Sequence, residues 1–137
     1  MSNWDENATT ALAELGKFNR KWVILQIKEG TDSHVALHAE QVEGSGDHDQ
    51  DFQNMKDACP EDLPRWIYYQ LEFTAKSGAQ SKKIVFVNYS PDDCTKMNIK
   101  FPYQQHKDAV KSKLNPNKEF QVNEHADLDR AKFIADM

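Results

Sequence analysis

The sequence predicts an α/β chain of the α+β type, with a central mixed sheet of five to six strands sandwiched by four or five helices. Three observations predict it. Arg65 to Phe73 places Ile67, Tyr69, Leu71 and Phe73 on one face and Trp66 and Tyr68 on the other. Apolar groups on both faces belong to a central strand covered on both sides. Ile84 to Val87 is a second such strand, broken at Ser90-Pro91-Asp92-Asp93 and followed by a helical pattern. The helix-like and strand-like segments also succeed one another in the order α-ββ-α-ββ-α-β-α. At 137 residues, 39% hydrophobic and 28% charged, the chain is expected to form one domain over 1–137 with a single core.

The elements follow in order. Ala8, Ala11, Leu12 and Leu15 recur at helical spacing, Gly16 is a stop signal, and Asp5 and Glu6 suit the positive end of the helix dipole. Trp22 to Ile27 is an apolar run of strand length. Gly30-Thr31-Asp32 is a turn, and His34 to Ala39 completes a predicted hairpin. The acidic stretch 43–49 is a loop leading into a short helix that carries Phe52, Met55 and Cys59 on one side, with Pro60 and Pro64 bracketing its end. After the strand ending at Phe73, residues 75–80 form a hairpin loop into Ile84–Val87. A helix is expected over 102–114, with Pro102 at its first position, where proline is well tolerated. Asn115-Pro116-Asn117 ends it, Glu119 to Val122 is a short strand, and a last helix runs from Asp127.

Charge narrows the function classes. The net charge of -5 argues against a general nucleic-acid binder. The average hides an asymmetry: six lysines lie between Lys96 and Lys118, while Glu40 to Asp51 holds five acids and no base. A cationic patch on an acidic chain suits a specific acidic partner surface. No apolar run reaches the roughly 18 residues needed to span a bilayer, and the N-terminus lacks the basic and apolar regions of a signal peptide. Cys59 and Cys94 have no CxxC spacing and read as reduced thiols of a cytosolic protein.

Bond chemistry finds no support. His34 and His38 fall on a strand, where four residues span about 13 Å, too far to share a metal. Asp47-His48-Asp49-Gln50-Asp51 lacks the calcium-loop pattern and reads as a solvated loop supplying a helix N-cap. Cys94 and His106 lack an orienting third group, and the Asp92-Asp93 carboxylates read as turn formers. No enzyme, metal or cofactor is expected.

On the helix from Pro102, Gln104, Lys107 and Lys111 follow one another at +3 and +4, and Lys100 leads into the same line. Tyr103, His106, Val110 and Leu114 form the opposite, core-facing stripe. Several segments carry a family resemblance. Ile84-Val85-Phe86-Val87, then Ser90-Pro91-Asp92-Asp93, then Lys100 to Ala109 resembles the actin-depolymerising factor/cofilin family, where a strand runs into a Ser-Pro-Asp turn and a helix with a K-M-x-Y-A-S-S-K-D-A pattern. Pro60-Glu61-Asp62 with Ile67 to Phe73, Ser81 to Phe86, and the first helix with Asp5-Glu6 are similar to the family's other segments. The resemblance spans nearly the whole chain. It implies the actin-depolymerising-factor homology fold and actin binding.

The resemblance implies two surfaces. One serves actin monomers and filaments alike: Lys100 and Lys107 fall on matched lysines, and Lys96 stands near a basic position of the family. Met97, Ile99 and Phe101 are the expected apolar anchors, with Gln104 and Lys111 on the same line. The second surface serves filaments only and takes in Lys76, Lys82 and Lys83 of the hairpin, with Arg130 and Lys132 of the last helix. Ser2 falls where the family's inhibitory phosphorylation lies, and added negative charge there would oppose an acidic partner. The chain departs from the pattern at Asn98, in place of an arginine, at Gln104-Gln105-His106, in place of A-S-S, by one residue inserted between Pro91 and Lys100, and in having only MSNW before Asp5. The resemblance thus implies a monomeric, cytoplasmic, cytoskeletal protein that binds actin and promotes filament severing and depolymerisation. Phosphoinositide head groups are expected competitors for the same lysines. The alternatives within the fold are a coactosin-like side-binder that does not sever and a glia-maturation-factor-like binder of the branch-nucleating complex.

Overall fold

The computed structural model describes residues 4–31 and 33–137. Ser2 and the third residue of the expected 30–32 turn, Asp32, lie outside the described residues. The elements are α1 (Glu6–Gly16), β1 (Trp22–Ile27), β2 (Val35–Gln41), α2 (His48–Ala58), β3 (Arg65–Thr74), β4 (Gln80–Tyr89), α3 (Met97–Lys111), β5 (Lys118–Val122), a 3-10 turn (His125–Asp127) and α4 (Arg130–Ala135). The five strands form one sheet in the order β2-β1-β3-β4-β5. All neighbours are antiparallel except β4 and β5, which are parallel and joined by the crossover through α3. β3 is the central strand, as its two apolar faces required.

The strand period of two divides the core into two layers. Ile67, Tyr69 and Leu71 of β3, with Val85 and Val87 of β4, meet Phe52 and Met55 of α2 and Phe133 of α4. Trp66 and Tyr68, with Val23, Leu25 and Phe86, meet Ala8, Ala11, Leu12 and Leu15 of α1 and Tyr103 and Val110 of α3. Two tyrosine hydroxyls fix α3 on this second face. Tyr103 accepts from the Ile27 backbone N–H at 2.8 Å. Tyr68 reaches the carbonyls of Val110, Lys111 and Leu114 at 3.0–3.2 Å, where the helix end leaves acceptors without intrahelical partners. Tyr68→Phe is therefore expected to cost about 1–2 kcal/mol, read as a lowered urea midpoint at unchanged slope.

Four sequence expectations are corrected. Pro102 does not open α3: the helix begins at Met97, and the Lys96 carbonyl already accepts from the N–H groups of Ile99 and Lys100. Proline sits in the second turn, where it lacks the N–H that would have bonded to the Asn98 carbonyl and its ring crowds that carbonyl. The helix also stops at Lys111 rather than at 114, and α4 begins at Arg130 after the 3-10 turn rather than at Asp127. The expected strand 84–87 extends to Gln80–Tyr89, paired with β3 along its whole length. The helix starts agree with the sequence. Asp47 caps α2, accepting from the Gln50 N–H at 3.1 Å. Asp5 is the N-cap residue of α1 with Glu6 in its first turn, and the Asp5 carboxylate pairs with His34.

Packing keeps Gly16, the last residue of α1, small, since a Cβ there would lie 3.0 Å from a methyl of Leu114. The left-handed residue of the helix end is Phe18, at φ 62°. Phe18 N–H donates to Leu15 O and Asn19 N–H to Glu14 O, both at 2.9 Å, a Schellman termination whose left-handed position favours glycine. A side chain in that conformation costs about 1 kcal/mol.

Candidate functional site: a cationic helix and a hairpin end

α3 presents its N-terminal turn to solvent. Met97 and Phe101, one helical turn apart, are 66% and 61% exposed. Lys96 is exposed at the N-cap, and Lys100 is half-exposed on the same turn. Among the described residues no carboxylate comes within ion-pair distance of either ammonium. Ile99 behaves differently from its neighbours. It is half-buried and turns into a hollow of about 470 Å³ that it lines with Ile27, Arg65, Pro102 and Tyr103. The apolar anchors that remain open are thus Met97 and Phe101.

The lysines further along α3 are engaged within the chain. Lys107 Nζ lies 3.3 Å from one Glu119 oxygen, and Lys111 Nζ lies 2.5 Å from the other. The hydrogen bond and charge of Glu119 hold the Lys111 ammonium above the usual lysine value. The hydrogen bond from Lys111, against an opposing burial penalty, and then Lys107 keep the Glu119 carboxyl below the usual carboxylate range. Gln104 is exposed between Lys100 and Lys107. The helix therefore offers Lys96 and Lys100 freely, while Lys107 and Lys111 share an internal anion. Glu119 was missed as part of this group, although the sequence carried a signal. Phe120 and Val122 point to the α2 and α4 layer, so Glu119 must point to α3, and its register partner Phe86 does the same.

The second set gathers at the far end of the β3–β4 hairpin. Lys76 is exposed in the turn closed by Ala75 N–H to Ala79 O at 2.8 Å. Lys82 pairs across the strands with Glu72 and lies 3.7 Å from its carboxylate. Arg130 donates to the Glu72 carbonyl at 2.5 Å and lies 3.4 Å from Asp49. Glu72 thus brings Lys82 and Arg130 together. Lys83, adjacent in sequence, faces the other side of the sheet with its partner Leu71. Lys132 is exposed and pairs with Asp127 at 3.2 Å.

The polar groups that chemistry would call on are engaged or buried within the chain. His34 meets Asp5, and His38 meets the Ala58 carbonyl at 2.9 Å. Cys59 and Cys94 are free and buried, and burial pushes the Cys59 thiol up to about 12, where it is not a nucleophile at neutral pH. Among the described residues no group of three or more potential ligands could hold a metal, and no helix is long and apolar enough to cross a membrane.

Comparison with known proteins agrees with this architecture. The chain is 27% identical over 111 residues to actin-depolymerizing factor 10 of Arabidopsis thaliana, an alignment covering 81% of this chain and 74% of the relative. The fold superposes on actin depolymerization factor 2 of Plasmodium berghei with a TM-score of 0.83 at 16% identity, covering 98% of this chain and 94% of that one. It also superposes on coactosin from Entamoeba histolytica, with a TM-score of 0.74 at 16% identity over 98% and 92% of the two chains. The family model for cofilin/tropomyosin-type actin-binding proteins matches residues 1–137, and the chain belongs to that actin-binding family.

Proposed function

We propose that this protein binds actin monomers and the sides of actin filaments and promotes filament severing and depolymerisation, without catalysing a bond change. The observation that carries the reading is the open turn of α3. Two large apolar side chains stand exposed beside two unpaired lysines, on a fold whose family binds actin. Apolar anchors of this kind supply affinity, and the lysines around them steer an acidic partner and set its register. Lys107 and Lys111 join this surface by exchanging Glu119 for a partner carboxylate. The hairpin set, Lys76, Lys82, Lys83, Arg130 and Lys132, adds contacts made only when a neighbouring filament subunit is present. Severing requires that the protein favour one filament state over another, which binding alone does not provide. The place of action is then the actin cytoskeleton, and anionic phosphoinositide head groups compete for the same lysines.

One observation favours the second reading, a side-binder that does not sever. Glu119 already neutralises two of the helix cations. Time-resolved imaging of single filaments separates the two readings, because severing raises the number of ends whereas side-binding does not.

Charge variants test the division of surfaces. Lys100→Ala with Lys107→Ala is expected to weaken both monomer and filament binding several-fold, with a steeper loss at low salt. Lys82→Ala with Lys83→Ala should weaken co-sedimentation with filaments and spare monomer binding. Equal losses in both assays for the second pair would show the two surfaces to be one.

A further inference from the structure

We infer that the hollow between the end of β1 and the first turns of α3 binds a small organic monocarboxylate, with the Arg65 guanidinium holding the carboxylate and apolar walls holding its hydrocarbon body. Its existence does not depend on the chain binding actin. Arg65 opens β3 and is only 8% exposed. Among the described residues no carboxylate comes within ion-pair distance of it. Its hydrogen bonds are made by Nη1, to the Pro64 carbonyl at 2.7 Å and to the Tyr103 hydroxyl at 3.5 Å. Nε is buried and has no partner. A guanidinium held out of water with an unpaired N–H is costly until an anion completes it. The Nε–Nη2 edge that remains is one on which arginine takes a carboxylate through two parallel hydrogen bonds.

Tyr103 supplies a second donor. Its hydroxyl oxygen accepts from the Ile27 N–H and from Arg65, and no group of the described residues accepts its own proton. Burial holds the phenol above its ordinary pKa, against the opposing Arg65 charge, so the hydroxyl keeps that proton at neutral pH. The ring of Tyr103, with Ile27, Leu63, Ile99 and Pro102, makes the walls predominantly apolar. The volume of about 470 Å³ is that of a small-molecule site. Lys28 and Glu29 also line the hollow, but both are exposed and their charges offset each other, which leaves Arg65 as the uncompensated charge. A buried cation among apolar walls disfavours phosphate, whose other oxygens would lose water without gaining partners. It favours a flat carboxylate on a hydrocarbon body.

Octanoate, octanol and inorganic phosphate are the probes. Titrated into the isotope-labelled full chain and followed by NMR, octanoate is expected to shift the Arg65 Nε–H signal and those of Ile99 and Tyr103 saturably. It should also raise the melting temperature as its concentration rises, as a ligand bound only by the folded state must. Octanol keeps the tail without the charge, and phosphate keeps a charge without the tail; each should bind at least ten-fold more weakly. Arg65→Met should lower octanoate affinity at least ten-fold, and Tyr103→Phe about three- to five-fold. Should Arg65→Met fail to fold, Arg65→Lys, which keeps the charge but not the paired N–H edge, should lower it at least five-fold. No saturable shift at Arg65, octanol or phosphate binding as tightly as octanoate, or unchanged octanoate affinity in a folded Arg65 variant would each overturn the site. Filament co-sedimentation tests the actin reading separately and is untouched by any of these outcomes.

Discussion

Replacing Met97 and Phe101 together by alanine is expected to lower affinity for monomeric and filamentous actin by about two to four orders of magnitude while leaving the melting temperature within about a degree. Both side chains are more than half exposed and contribute little to the core, so their removal creates no cavity. At an interface the position is reversed. Burying a large apolar side chain in a well-packed partner pocket contributes about 1.5–3 kcal/mol, and each 1.4 kcal/mol is a factor of ten. The loss should exceed that from Lys100→Ala, because exposed charges contribute mainly to encounter. It should also appear in the dissociation rate rather than in association. Titration of labelled monomers and filament co-sedimentation measure the two affinities. An undiminished double variant would mean that the turn of α3 is not the docking edge.

Most of the fold was legible because it depends on periodicity. The two-faced alternation of Arg65 to Phe73 required a central strand, and the apolar sides of α1 and α2 followed the 3.6-residue repeat. Boundaries were less legible where a local rule competed with tertiary context. Proline is favoured at a helix start, yet here residues 97–101 already form a turn, fixed by the core contacts of Tyr103 and Val110 further on. Gly16 read as the residue that ends α1 through its conformational freedom. Its actual constraint is the approach of Leu114, almost a hundred residues away, while the left-handed step falls to Phe18. The site was legible as a list of cations and anchors but not as a pattern of pairing. Whether a lysine is free depends on strand register, and only the parallel pairing of β4 with β5 sets Glu119 beneath Lys107 and Lys111.

The largest stability effect is expected at Asp51, a carboxylate that is 1% exposed. Gln41 donates to it at 2.8 Å, and the Ser45 N–H reaches both its oxygens at 3.1 Å. Nearby, Lys21 is 4% exposed; its ammonium donates to the Gln70 carbonyl at 2.9 Å and lies 5.2 Å from the Tyr69 ring centroid. Burial opposes the Asp51 charge, but the Gln41 and Ser45 hydrogen bonds and the Lys21 charge outweigh it, and the carboxyl lies below its usual value. Burial likewise holds the Lys21 ammonium below the usual lysine value, with Glu72 and then Asp51 acting against that shift. Asp51→Asn would set an amide group against the Ser45 N–H and leave Glu72 as the remaining carboxylate compensating Lys21. The expected cost is about 3 kcal/mol, or a melting temperature lower by on the order of 10 °C. Combining it with Lys21→Met should cost less than the sum of the single variants by about 1 kcal/mol, since the second change removes the cation that the first leaves less compensated. The pH dependence has a definite sign. A depressed carboxyl stabilises the fold fully above the unfolded value near pH 4 and loses that contribution as pH falls through the folded value. The gap between wild type and Asp51→Asn should therefore be constant through neutral pH and narrow below about pH 4. For Lys21 the sign is opposite in its own range: a depressed ammonium makes the fold gain stability as pH rises towards the unfolded lysine value, and Lys21→Met should abolish that rise. Urea titrations of the four proteins across pH measure both effects, and strictly additive costs for Asp51→Asn and Lys21→Met would show that the two buried charges do not interact.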